Sequence, residues 1–215
     1  MSPIERTCEI YSALGGKLRG ADQAQLLRAF FPDSASGRIR GKRWLAERER
    51  AGLIESFTIL ARPVEDVELI FYGNPERAPP DFGELSRESC RRWNIACRSV
   101  TVIRGTAKLR NIVGGPPGMG FRALGAIGHD LAVSQTWFKL LRIAPELAAG
   151  WVCEDELLPS QYKEAQPDAV IFDPNGEPQC AIEFAGCYQA EKFEKIDRTF
   201  RSMGIPYAVW MRTDS

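Results

Sequence analysis

A chain of 215 residues, 44% hydrophobic and 26% charged, carries enough apolar material for one large or two small cores and too much for extensive disorder. No apolar run is long enough to cross a bilayer, so an integral membrane role is excluded from the expectations. The net charge of zero is unevenly spread: residues 1–120 hold 19 Lys and Arg against 14 Asp and Glu, and residues 121–215 hold 9 against 14. The first half is therefore the better candidate for phosphate contact, and the second offers metal-ligating carboxylates or simply a solvated surface.

The opening residues MSPIERTCEIYS lack the apolar stretch of a secretory signal, and a cytoplasmic location is expected. Residues 22–31 read as an amphipathic helix, with Ala21-Asp22 at its cap and Leu26, Leu27, Phe30 and Phe31 on one face. Pro32-Asp33-Ser34 makes a turn. A second helix runs from about 36 to 51 and stops at Gly52. It carries Arg38, Arg40, Lys42, Arg43, Arg48 and Arg50 against only Glu47 and Glu49. Ile39, Trp44 and Leu45 are expected to face the core, leaving Arg38, Lys42 and Arg43 outward. Two segments rich in β-branched and aromatic residues follow, 53–60 and 67–72, separated by turn residues, and they read as a hairpin. Helix, turn, basic helix and hairpin together outline a winged helix, a helix-turn-helix variant. Its second helix would enter the major groove of double-stranded DNA, with Arg38, Arg40, Lys42 and Arg43 as contacts. The competing reading is a basic helix forming the solvated face of some other α+β unit.

Residues 73–80 have the Pro and Gly content of a linker, and a helix bearing Arg87, Arg91, Arg92 and Trp93 is expected within 84–96. The stretch 112–120 is rich in Gly and Pro but lacks the G-x-x-x-x-G-K-[ST] phosphate-loop pattern, so it reads as a loop. The cysteines Cys8, Cys90, Cys97, Cys153, Cys180 and Cys187 include no C-x-x-C pair, and there is one histidine, His129. Free thiols in a reducing cytosol are expected, and no zinc site is advertised.

In the last third, residues 129–141 form an amphipathic helix, and Trp151 begins a strand ahead of Glu154-Asp155-Glu156. Residues 168–172 and 179–184 are strands around the turn Asp173-Pro174-Asn175-Gly176. A helix over 188–203 places Phe193, Ile196 and Phe200 on one face, and a strand covers 207–211. The hairpin brings Asp168 and Glu183 to one sheet edge. Two carboxylates converging there can hold Mg²⁺, which activates water at a phosphodiester. "Pro167-Asp168 … Ile182-Glu183-Phe184-Ala185" resembles the PD-(D/E)xK nuclease motif, with Ala185 standing where that pattern has lysine. Lys192 and Lys195, on the following helix, could replace it, or could be part of an ordinary charged helix face. His129 could act as a general base or as a hydrogen-bonding group at a helix start.

The stretches "His129-Asp130-Leu131-Ala132-Val133", "Pro167-Asp168-Ala169-Val170" and "Ile182-Glu183-Phe184", in this order of parts, resemble the replication-relaxation family of plasmid and mobile-element proteins. That resemblance implies an α+β chain: a winged-helix DNA-binding domain over 1–78, a connecting segment over 79–120, and a small nuclease-like α/β domain over 121–215. It implies DNA binding in plasmid or mobile-element replication or maintenance, with a protein partner or a second copy left open. Ala185 favours a nuclease-like domain that has lost catalysis. The alternatives are an active Mg²⁺-dependent endonuclease with Asp168, Glu183 and a migrated lysine, and a protein-interaction module without DNA binding.

Overall fold

Ser2, Asp22, Ser34, Asp81 and Thr106 each accept a backbone N–H from the first turn of the helix that follows, which fixes where those helices begin. A computed structural model describes residues 2–121, 124–162 and 164–213. In chain order the elements are α1 (Pro3–Ser12), β1 (Ala21–Asp22), α2 (Gln23–Phe30), α3 (Ala35–Arg50), β2 (Ile54–Ala61), β3 (Val67–Gly73), α4 (Phe82–Trp93) and β4 (Arg98–Gly105). There follow α5 (Ala107–Val113), α6 (Ile127–Ile143), α7 (Pro145–Ala149), β5 (Trp151–Cys153), β6 (Ala169–Phe172), β7 (Pro178–Phe184), α8 (Ala190–Met203) and β8 (Tyr207–Arg212). This is a mixed α/β chain with two sheets. Among the described residues no helix is long and apolar enough to cross a membrane.

The chain divides into two compact units, each made of two separate segments. Unit 1 takes the chain up to Pro63 together with Cys97–Phe138, and unit 2 takes Val64–Ala96 together with the chain from Lys139 onward. The three consecutive segments 1–78, 79–120 and 121–215 expected from the sequence are therefore not the segments that cluster in space.

In unit 1 a three-stranded antiparallel sheet has the order β1–β4–β2. β4 pairs with β2 along its length, from Ile54 opposite Gly105 to Ala61 opposite Arg98. This corrects the expected hairpin of 53–60 with 67–72: the second segment is β3, and it pairs with β8 in the other sheet. Periodicity marks a strand but does not name its partner, and Ile70 and Phe71 pack against the core of unit 2. Gly73 is required at the end of β3, because a Cβ there would overlap the Tyr207 ring.

Helices α2 and α3 approach closely because Gly37 and Gly41 lie one turn apart on α3. A side chain at Gly41 would overlap Leu27, and one at Gly37 would overlap the Pro32 carbonyl. Leu45 continues that buried seam. Ile39 stands about 200° around the helix from Gly41, and its side chain is 61% exposed. The expectation that it faces the core is corrected by this phase. Trp44 is half-buried against Tyr11 and Phe31.

Unit 2 holds a five-stranded sheet of order β3–β8–β7–β6–β5. β5, β6 and β7 form an antiparallel meander, α8 crosses over, and β8 returns parallel to β7. Val170, Ala181, Phe193, Ile196, Phe200 and Val209 lie in its core. Arg92 of α4 is held by Glu68, Glu88 and the Arg212 carbonyl, and Trp93 meets Phe184 with ring centroids 5.7 Å apart. Cys90 of α4 and Cys187 are joined by a disulfide. The expectation of six free thiols is corrected there. A bond across 97 residues of sequence depends on α4 lying beside the turn after β7, which no local pattern announces.

Candidate functional site

The hairpin β6–β7 is built around a local turn. The Asp173 carboxylate accepts the N–H groups of Asn175 and Glu177, and Gly176 takes a φ of 86°. Its register places Ala169 opposite Ile182, so Asp168 and Glu183 are the next residues at that end of the pair. Asp168 is tied on both sides. Its N–H donates to the Ile182 carbonyl at 3.1 Å, its carbonyl accepts from Glu154 N–H at 3.0 Å, and its carboxylate accepts from Phe184 N–H at 2.8 Å. The Asp168 N–H bond to Ile182 lies one residue outside the β6–β7 register, which marks a bulge at Asp168, while by alternation Glu183 shares a face with Ala181 and Ala185. Val170, Ala181 and Ala185 pack into one core with Phe193 of α8. Glu183 therefore sits on the face that α8 covers, and the Asp168 charge acts on it from the neighbouring strand end.

Glu183 is 1% exposed, and its Oε1 has no hydrogen-bond partner among the described residues. Burial, reinforced by the Asp168 charge, drives its carboxyl well above the ordinary value. The Lys192 ammonium pulls in the opposite direction, and Glu154 adds to the upward push. Tyr188 is also driven up, first by burial and then by Asp168, Glu183 and Glu154. Glu154, Asp168, Glu183, Tyr188 and Lys192 thus share one electrostatic neighbourhood. Lys192 Nζ lies 5.1 Å from the Tyr188 ring centroid. Lys195, one turn further along α8, is exposed. Ala185 is buried, and its N–H donates to the Trp210 carbonyl, so its side chain belongs to the core and brings no cation.

No group of three or more His, Cys, Asp or Glu side chains among the described residues could hold a metal ion. A hard cation that keeps much of its water needs fewer protein ligands. Asp168 and Glu183 supply two carboxylates, and the buried, unpartnered Oε1 is an atom that such a cation would satisfy. The residues fit Mg²⁺ on that basis. Glu154 and Tyr188 were missed by sequence reasoning. The Glu154-Asp155-Glu156 run was visible, but its pairing beside Asp168 depends on β5 joining the meander. His129 lies near the start of α6, in unit 1.

In unit 1, Arg38, Arg40, Lys42 and Arg43 are all exposed on α3, and Arg38 pairs with Asp33 at 2.9 Å. They do not share one direction. Arg38 and Lys42 line a groove with Arg28, Arg98, Ser99 and Thr101, while Arg40 and Arg43 lie elsewhere on the helix. Arg28 and Arg98 escaped sequence reasoning because Arg98 begins a strand placed in what read as a connecting segment.

The buried Glu183 predicts an unusual stability profile. A carboxyl whose folded-state value is raised favours the fold while it is protonated. That contribution is complete at low pH and is lost as pH rises from the ordinary carboxyl value of 4.5 towards the raised one. In metal-free buffer near pH 8, Glu183→Gln is therefore expected to raise Tm, by about 2–4 °C for each kcal/mol recovered. The gain should shrink towards pH 4. Thermal melts at both pH values check this, and an equal or lower Tm for the variant near pH 8 would contradict it.

No protein-family model, no curated protein and no solved structure matches this chain.

Proposed function

We propose that the chain binds double-stranded DNA through α3 and cleaves a phosphodiester in unit 2, at a PD-(D/E)xK-like site in which Lys192 takes the part of the missing strand lysine. The observation that carries this reading is the buried Glu183, at the same end of the hairpin as Asp168 and within the fields of the Asp168 carboxylate and the Lys192 ammonium. The meander β5–β6–β7, the crossover α8 and the parallel β8 support the nuclease-like reading of unit 2. The succession α1, β1, α2, α3, β2, β4, with β4 between its sheet partners, supports the winged-helix reading of unit 1. The setting in plasmid or mobile-element biology rests on the resemblance of short motifs alone.

Mg²⁺ held by Asp168 and Glu183 would supply an activated water and neutralise phosphate charge. Asp168 is oriented for this by Phe184 N–H. Lys192 brings a positive charge to the same place, where it can hydrogen-bond a non-bridging phosphate oxygen and stabilise charge developing there. Burial of Glu183 keeps the site's dielectric low, which strengthens each of these interactions. The buried Ala185 favours the second reading, a DNA-binding protein with a silent unit 2.

The test is a gel assay with supercoiled and linear DNA, in Mg²⁺ or Mn²⁺ and in EDTA, scored for both retardation and cleavage. Cation-dependent cleavage that vanishes in Asp168→Ala and Glu183→Ala is expected. Retardation with no cleavage under any cation would leave the silent reading. For binding, the variant Arg38→Ala/Lys42→Ala/Arg43→Ala should lose affinity. Its log–log salt slope should fall by about 0.9 for each phosphate contact removed. An unchanged slope in a folded triple variant would take α3 out of the interface.

A further inference from the structure

We infer that Tyr188 is the positioning residue of the unit 2 site: its ring holds the Lys192 ammonium in place beside Glu183, and α4 fixes that ring. The inference rests on the proposed reading of Asp168, Glu183 and Lys192 as a phosphodiester-cleaving site.

Lys192 lies in the first turn of α8, and a lysine there has a flexible four-carbon stem that ordinarily carries its charge out to water. Here the ammonium sits over the Tyr188 ring, 5.1 Å from its centroid, where the ring's negative face attracts it. The ring is braced on its other contacts. It packs at 5.7 Å against Phe193, which is buried in the core.

The backbone beneath the ring is fixed more firmly than a surface turn requires. Tyr188 N–H donates to the Ser89 hydroxyl at 3.2 Å, and the same fully buried hydroxyl lies 3.4 Å from the Tyr188 carbonyl. The preceding residue, Cys187, is bonded to Cys90. Trp93, one helical turn beyond Ser89 on α4, meets Phe184, the residue after Glu183. Ser89, Cys90 and Trp93 of α4 thus hold the short stretch that joins the strand of Glu183 to the helix of Lys192, together with the strand end before it. This stretch is the only chain between the carboxylate and the ammonium, and Tyr188 is its one aromatic residue.

Full-length Tyr188→Phe, Tyr188→Leu and Cys90→Ser/Cys187→Ser variants test the inference by two readouts. The first needs neither metal nor activity. With lysine labelled at Cε, the Lys192 methylene protons should be shifted upfield by the ring current, their signal being identified by its loss in Lys192→Arg. Tyr188→Phe should keep the shift, Tyr188→Leu should abolish it, and the double serine variant should reduce it. The second readout is cleavage. Tyr188→Leu should lower kcat on the order of 10- to 100-fold with KM little changed, as for a misplaced catalytic group, and Tyr188→Phe should restore the rate to within about twofold. A Lys192 signal that is not shifted in the wild type, or that is unmoved in Tyr188→Leu, overturns the inference. A rate lost equally in Tyr188→Phe overturns it as well, by assigning the work to the hydroxyl. An unmoved signal in the serine variant removes α4 from it. If the wild type binds DNA but cleaves nothing, the nuclease reading fails separately, and the ring-current readout still decides whether Tyr188 positions Lys192.

Discussion

Lys192→Ala is expected to lower the rate of Mg²⁺-dependent cleavage by about 10²–10³-fold, the loss that follows removal of one preorganised stabiliser of developing charge. Lys195→Ala is the matched control, because Lys195 shares the helix and the charge but is exposed. Its rate should stay within about twofold of wild type, since an exposed charge in water acts only weakly at a distance. Ala185→Lys in the Lys192→Ala background should not rescue. Position 185 is 2% exposed within the core of unit 2, and a lysine there would pay for desolvation before it reached any phosphate. Single-turnover cleavage with saturating enzyme separates these variants by chemistry rather than by binding. Equal rates for Lys192→Ala and wild type would remove the cation from the proposed site.

The second large effect concerns folding. A fragment ending at residue 78 is expected to be unfolded, with no cooperative melt by circular dichroism. Such a fragment keeps β1 and β2 but lacks β4, and β4 is the central strand between them. Without it neither remaining strand has a partner, and the core loses Val100 and Val102 together with Ile127 and Leu131 of α6. The complementary chain should fold. Ala61 and Arg98 stand opposite one another at the open end of the pair, so residues 62–97 can be replaced by Asn-Gly, a two-residue hairpin connection. Ending that chain at Phe138 retains all of unit 1 except Arg62, Pro63 and Cys97. It should melt cooperatively, retard DNA and cleave none. A cooperative melt for the 1–78 fragment would show that β2 and β3 can form the hairpin after all.

What was legible in the sequence was local. The Asp22 and Ser34 caps, the α2–α3 turn and the β6–β7 hairpin are each decided within a few residues. That hairpin also carries Asp168 and Glu183, so half of the proposed site could be read directly. Lys192 required the phase of α8 relative to the sheet, and the periodicity of 188–203 left it level with Lys195. The partner of β3 was not legible, because Val67–Gly73 has the same alternation whether it closes a hairpin or pairs with the distant β8, where Val67 meets Arg212 and Gly73 meets Tyr207. Ile39 was misplaced because two glycines, which carry no hydrophobic signal, define the buried stripe of α3. Glu154 and Tyr188 acquire meaning only through neighbours supplied by distant elements.

The Cys90–Cys187 bond has a topological consequence. It closes a covalent ring across 97 residues of sequence, and everything from β4 through β7 lies inside it. The unfolded chain is therefore a loop with two tails rather than a free coil, a restriction worth about 4–5 kcal/mol in the chain-entropy description. Towards a protease the molecule behaves as a ring. One cut within the Gly- and Pro-rich stretch 114–120 opens the ring without dividing the molecule, and two bands emerge on a denaturing gel only after a thiol reductant is added. A cut before Cys90 or after Cys187 releases a piece at once. The pattern of fragments on paired reducing and non-reducing gels thus maps each exposed site to the inside or the outside of the ring.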